Sequence, residues 1–242
     1  MLSRRRPGAD ARWLMASAGL AVGLYATYAG LTWYRYGRAE KPTGIPDAEL
    51  DRFMPAYDVV ERHQARIKAP PETVWAAIPE MRIQESLFLR ALIRIRELML
   101  GGKSPKKELP SELIAQMKVI GWSALSEVPG REIIFGAAAK PWDADPQFRT
   151  VSASEFADFR QPGYVKIVWT LRVDPICPDQ SVFSTETRAM PTDFVSRAKF
   201  RRYWAVVLPG IKVIRRILAR SLKIEAERRA ARPGEGAVMT HA

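Results

Sequence analysis

The chain has 242 residues, 47% of them hydrophobic, and a formal charge of +12; this suits one sizeable domain with an appendage and is short for two domains. A single cysteine, Cys177, excludes an intrachain disulfide and any zinc or redox site built from paired thiols. The charge sits at the ends, with +3 in residues 1–12, +9 in residues 193–232 and +1 in residues 13–192, a pattern suited to an anionic membrane surface or to nucleic acid.

Residues 1–12 form a basic N-terminus. Residues 13–34, WLMASAGLAVGLYATYAGLTWY, contain no charged residue. As a helix they would span about 33 Å at 1.5 Å per residue, enough for a hydrocarbon core of about 30 Å. Trp13 marks one end and Trp33, Tyr34 and Tyr36 the other, as aromatic rings do at headgroup level. The segment therefore reads as a transmembrane helix, making the chain a single-pass protein of a bacterial inner membrane. Four arginines before it against Arg35, Arg38 and Lys41 after it leave the side of the membrane facing the domain open. The competing reading is a cleaved signal peptide with Thr27 and Ala29 before the cut, but the apolar run exceeds the usual ~7–15 residues. Gly19 and Gly23 form a GxxxG that could pair two copies as a homodimer.

Residues 35–56 mix Gly, Pro and charge and read as a linker, with a turn of helix around Asp47 to Phe53. The folded domain covers residues 57–230, and residues 231–242 read as a disordered tail. A strand over 58–68 is stopped by Pro70 and Pro71, and Pro71 suits the first turn of a short helix carrying Val74, Trp75 and Ile78. Residues 80–100 carry apolar positions at helical spacing. A loop over 101–110 leads to a short helix over 111–118 with Ser111 as N-cap. The period then drops to two: strands are expected over 119–129, 131–140, 148–159, 164–173 and 180–190, with turns at Pro129-Gly130 and at Arg160 to Gly163. Asp193 caps a long final helix whose stripe runs from Phe200 to Leu222, with a kink or a break expected at Pro209.

Strand, helices, a run of antiparallel strands and one long helix is the helix-grip order, an α+β fold in which a curved antiparallel sheet of six to seven strands wraps a C-terminal helix. The chain resembles the SRPBCC superfamily, which includes START-like, pollen-allergen-like and polyketide cyclase/dehydrase lipid-transport groups. The likeness rests on Ala69-Pro70-Pro71-Glu72-Thr73-Val74-Trp75, Gly121-Trp122, Pro129-Gly130-Arg131-Glu132, Pro162-Gly163-Tyr164, Ser184 to Arg188, Phe200 to Trp204 and Pro209-Gly210. It implies a hollow between sheet and helix for a hydrophobic small molecule or lipid, with lining residues drawn from Trp122, Phe135, Trp169, Phe183, Tyr203, Trp204, Val207 and Ile211. Ordinary core packing would use the same residue types.

On the final helix, Arg201, Arg202, Lys212, Arg215, Arg216, Arg220 and Lys223 fall mostly off the apolar stripe. They suit either a solvated face or contact with anionic headgroups, each worth roughly 1 kcal/mol near the surface. Nucleic acid is not expected, since no aromatic–basic ladder or helix-turn-helix pattern accompanies the charge. No metal-ligand spacing, GxSxG, Walker loop or GxGxxG is present, and no cofactor is expected. His63 on the first strand and the Glu186–Arg188 pair are the nearest to chemical groups. The expected function is therefore membrane-anchored, non-catalytic binding of a hydrophobic molecule. A cyclase/dehydrase-like enzyme and a scaffold with a filled core are the alternatives. A space under about 300 Å³ favours the scaffold; a His or carboxylate projecting into a large cavity favours the enzyme.

Overall fold

A computed structural model describes residues 7–36, 47–80, 110, 112–146 and 148–232. Its helices are α1 (Pro7–Arg35), α2 (Ala48–Phe53), α3 (Pro71–Ala77), α4 (Leu113–Val119), α5 (Ala153–Phe156) and α6 (Phe194–Ala230). The strands β1 (Val59–Ile67), β2 (Ser123–Val128), β3 (Glu132–Ala139), β4 (Phe148–Arg149), β5 (Val165–Cys177) and β6 (Gln180–Pro191) form one antiparallel sheet. Its order is β1-β6-β5-β3-β2, with β4 pairing β3. The six strands and the long C-terminal helix match the expected helix-grip arrangement.

Pairing of β1 with β6, from Val59 opposite Ala189 to Ile67 opposite Ser181, brings the first strand beside the last. The alternating strands then send odd-numbered residues of β1, β5 and β6 to one face, where α6 lies. Two cores fasten α6 there. Near its start, Phe200, Trp204 and Leu208 meet Val59, Val165 and Ala189. Near its end, Ala219, Leu222 and Ala226 meet Ile67, Phe135, Leu171, Val173 and Phe183, together with Val74 and Ala77 of α3 and its C-cap Ile78. Asp193 caps α6 reciprocally with Ser196, its carboxylate accepting Ser196 N–H while Ser196 Oγ accepts Asp193 N–H.

The opposite face is also covered. Leu50, Phe53 and Met54 of α2 and its flank, with Val151 and Phe156 around α5, pack on Leu125, Ile134, Ala138 and Val168. This explains the unbroken apolar run of β3, every residue of which is buried: a strand covered on both sides has no polar face to alternate with. The buried Arg188 ties α2 to the sheet, donating to Glu186 (2.7 Å), to Asp51 and to the Met54 carbonyl (2.8 Å).

Several expectations need correction. Among the described residues no helix is long and apolar enough to cross a membrane. The helix α1 instead meets α6, where Arg201 stands 3.6 Å over the Trp33 ring and donates to the Trp33 carbonyl at 2.9 Å, and Tyr25 donates to the Val206 carbonyl. Gly19 and Gly23 face open space, so nothing in the single chain uses the GxxxG. The turn of helix expected around Asp47 to Phe53 is α2, but it belongs to the core and not to a linker, because Leu50 and Phe53 find the back of the sheet. The strand expected over 148–159 is only Phe148–Arg149, after which Phe156 turns inward on α5. In turn β5 runs on past the expected end at residue 173, to Cys177. Pro209 does not divide α6, which continues through it. The helix expected over 80–100 and the Ser111 cap lie outside the described residues.

Two predictions follow from the back of the sheet. A Cβ at Gly136 would stand 2.4 Å from Leu125 Cδ1 and 2.8 Å from Phe156 Cε2. Gly136→Ala should cost about 1–3 kcal/mol of stability, a fall of roughly 2–4 °C in Tm per kcal/mol; the loss should shrink in a Leu125→Ala background, and equal losses in both backgrounds would refute the clash. Glu132 stands opposite Arg172, where burial and then the charge of Asp47 push its carboxyl up to about 7, Arg172 partly opposing them. A raised folded value means stability fully present below the unfolded value of 4.5 and lost as pH rises through about 7. Thermal melts should therefore decline over that window, and Glu132→Gln should flatten the decline.

Candidate ligand groove

Between the two cores that fasten α6, side chains do not fill the space. A groove of about 240 Å³ remains, lined by Trp122, Trp169, Leu171, Phe183, Thr185, Thr187, Ile211, Ile214, Arg215 and Leu218. Along β6 the residues facing α6 run Phe183, Thr185, Thr187, Ala189. The two threonines stand at mid-helix, where their small side chains leave space against α6.

Aromatic rings form one wall. Trp169 on β5 pairs in register with Phe135 on β3 and stacks on it at 5.9 Å, while its Nε1–H donates to Thr185 Oγ1 at 2.7 Å. Trp122 stands edge-on to Trp169 at 6.4 Å and against Phe148 at 5.6 Å. Gly121 sets its position: φ is +102°, and a Cβ there would fall 2.4 Å from the Phe148 carbonyl oxygen. The turn is closed by Trp122 N–H donating to the Met117 carbonyl at 2.9 Å and Gly121 N–H to that of Lys118 at 3.1 Å.

Arg215 supplies the cation. Its Nη2 donates to Thr187 Oγ1 and its Nη1 makes a long contact, 3.5 Å, to the Glu61 carbonyl oxygen. Nε is buried with no hydrogen-bond partner, and so is Trp122 Nε1. Burial pulls the guanidinium down to about 10, with Glu61 and Glu186 opposing the fall, so it remains charged at neutral pH. The Glu61 carboxylate meets Lys212 at 3.5 Å, and burial raises its pKa. His63 titrates below its usual value because of burial and the nearby Arg216 and Arg215. No imidazole or carboxylate side chain stands among the described lining residues, and no group of metal-ligating residues occurs among the described residues.

Of the residues expected to line a pocket, Trp122, Trp169, Phe183 and Ile211 line this groove. Phe135 lies behind Trp169 in the core, and Tyr203 packs with Phe200. Val207 is half-buried and does not line the groove. Trp204 borders a different groove of about 580 Å³, between α1 and β1, with Tyr28, Leu31, Arg35 and Lys212. Of the residues expected at a membrane surface, Arg202, Arg216 and Arg220 are exposed. Arg201 is held by Trp33, Lys212 by Glu61, and Lys223 donates to the Arg66 carbonyl at 3.0 Å. Arg215 is corrected outright: it faces the interior. Steps of four from Ile211 to Arg215 and from Arg215 to Ala219 put it on the buried stripe, a spacing present in the sequence but masked by the residue's charge.

No family model matches the chain, and no curated protein matches its sequence. Three solved structures align over most of their own length. Norcoclaurine synthase from Thalictrum flavum, in complex with dopamine and hydroxybenzaldehyde, is 10% identical, with 77% of this chain and 97% of that one covered at a TM-score of 0.32. A hypothetical protein from Helicobacter pylori is 6% identical, with 77% and 97% covered at 0.35. A protein from Chromobacterium violaceum is 11% identical, with 69% and 97% covered at 0.29. At that distance the likeness carries no inference about ligand or chemistry.

Proposed function

We propose that this protein binds a small hydrophobic molecule in the groove between β5, β6 and α6. The reading rests on one observation: an apolar, aromatic-walled space persists between two filled cores, where buried groups still lack partners. Its volume of about 240 Å³ suits the body of a small compound. We read the role as binding: the described lining supplies apolar walls, a cation and hydroxyls.

The volume also falls below the ~300 Å³ typical of ligand sites, which favours the scaffold reading as the competitor. Fluorescence titration of the full chain with 2-naphthaleneethanol, a compact neutral probe, separates the two. The binding reading expects saturable binding that Leu218→Trp, which fills the groove, weakens by about tenfold or more. Absence of saturable binding, or binding indifferent to that substitution, favours the scaffold.

The membrane belongs to the same proposal through α1. Trp13, Met15, Leu20, Val22 and Leu24 leave large apolar surfaces exposed, Trp13 by 78%, and contiguous apolar surface of this kind suits lipid. We place the protein at a bacterial inner membrane, with α1 in contact with the bilayer and the groove close to where apolar ligands partition. Deleting residues 1–36 should move the protein from the membrane to the soluble fraction; unchanged fractionation would sink the assignment.

A further inference from the structure

We infer that the groove selects a hydrophobic monocarboxylate, with Arg215 as the partner of the carboxylate and the Trp122 indole N–H as a second donor. The inference rests on the binding reading above and adds the chemical class of the ligand. Its ground is an imbalance inside the groove. Arg215 and Trp122 both line it, both carry a buried N–H without a partner, and neither nitrogen can accept a hydrogen bond. The unmet need at both residues is therefore for an acceptor.

Charge points the same way. Arg215 stays cationic, and among the described residues no carboxylate makes an ion pair with it: its contacts are a hydroxyl and a backbone carbonyl. The carboxylate facing it from β1, that of Glu61, meets Lys212. From β6, Glu186 pairs with Arg62 (2.6 Å) and Arg188 (2.7 Å). The neighbours His63 and Arg216 cannot supply negative charge. A buried guanidinium without a counter-ion is costly, and the remaining lining is aromatic, aliphatic or hydroxyl-bearing, so the complement is an apolar body ending in an anion. A planar carboxylate also suits the fork of N–H groups on a guanidinium.

The test compares 2-naphthaleneacetate with 2-naphthaleneethanol, which differ mainly in the ionised group, by calorimetry and fluorescence on the full chain. The acid should bind at least tenfold tighter. Arg215→Gln should abolish that preference, weakening the acid at least tenfold more than the alcohol, and Trp122→Phe, which keeps a ring and removes the N–H, should weaken the acid several-fold more than the alcohol. Equal affinities for acid and alcohol in the unmodified protein, or an acid preference that survives Arg215→Gln, would overturn the inference. If the alcohol binds and the acid gains nothing, only this inference falls; if neither binds, the groove reading falls and takes it along. Should Arg215→Gln fail to fold in a thermal melt, the acid-to-alcohol ratio in the unmodified chain and in Trp122→Phe still decides the matter.

Discussion

A rigid rod fastened at two separated places cannot settle into a hollow between them. The helix α6 has 37 residues and would be roughly 55 Å long at 1.5 Å per residue. It is held near its start by Phe200, Trp204 and Leu208 and near its end by Ala219, Leu222 and Ala226. Between those points the sheet presents the small side chains of Thr185 and Thr187, and Thr187 meets the helix through the Arg215 side chain. The helix is one continuous element across that stretch, with Pro209 inside it. The groove thus follows from the separation of the two cores and from two small residues at mid-strand.

The sheet must in turn resist being drawn toward the helix, and its opposite face meets that demand. The short helices α2 and α5 bury Leu50, Phe53 and Phe156 against β2, β3 and β5, and Arg188 links α2 to Glu186 through charge-assisted hydrogen bonds. Interiors packed on both sides of a strand deform little. The aromatic wall of the groove, Trp169 on Phe135, is therefore carried by strands that are held from behind.

Arg215 is the one group in the groove that stability alone does not explain. An apolar residue at its place on the buried stripe would fill space and avoid desolvating a cation. A perturbed charge that lines a recess and makes no ion pair marks a candidate for function. In the binding we propose, hydrophobic walls supply affinity and the cation selectivity.

The sequence by itself determined the element types over most of the domain. The two-residue period of β5, the Pro70-Pro71 stop, the Asp193 cap and the three- and four-residue steps of α6 are local signals, because they follow from backbone geometry and the nearest neighbours. Of the residues the family resemblance implied, Trp122, Trp169, Phe183 and Ile211 border the groove. What local pattern could not carry was decided by packing between distant segments. The helix α2 is core only because the back of the sheet lies uncovered until Leu50 and Phe53 reach it, and Phe156 turns a stretch with strand-like alternation into a helix by filling the space over Gly136. The apolar run of α1 met α6 through Trp33 and Arg201, a contact between residues 168 positions apart. Arg215 reads as surface from its charge and is interior from its register, because only the docking of α6 on β1 and β6 determines which side of the helix is out of water.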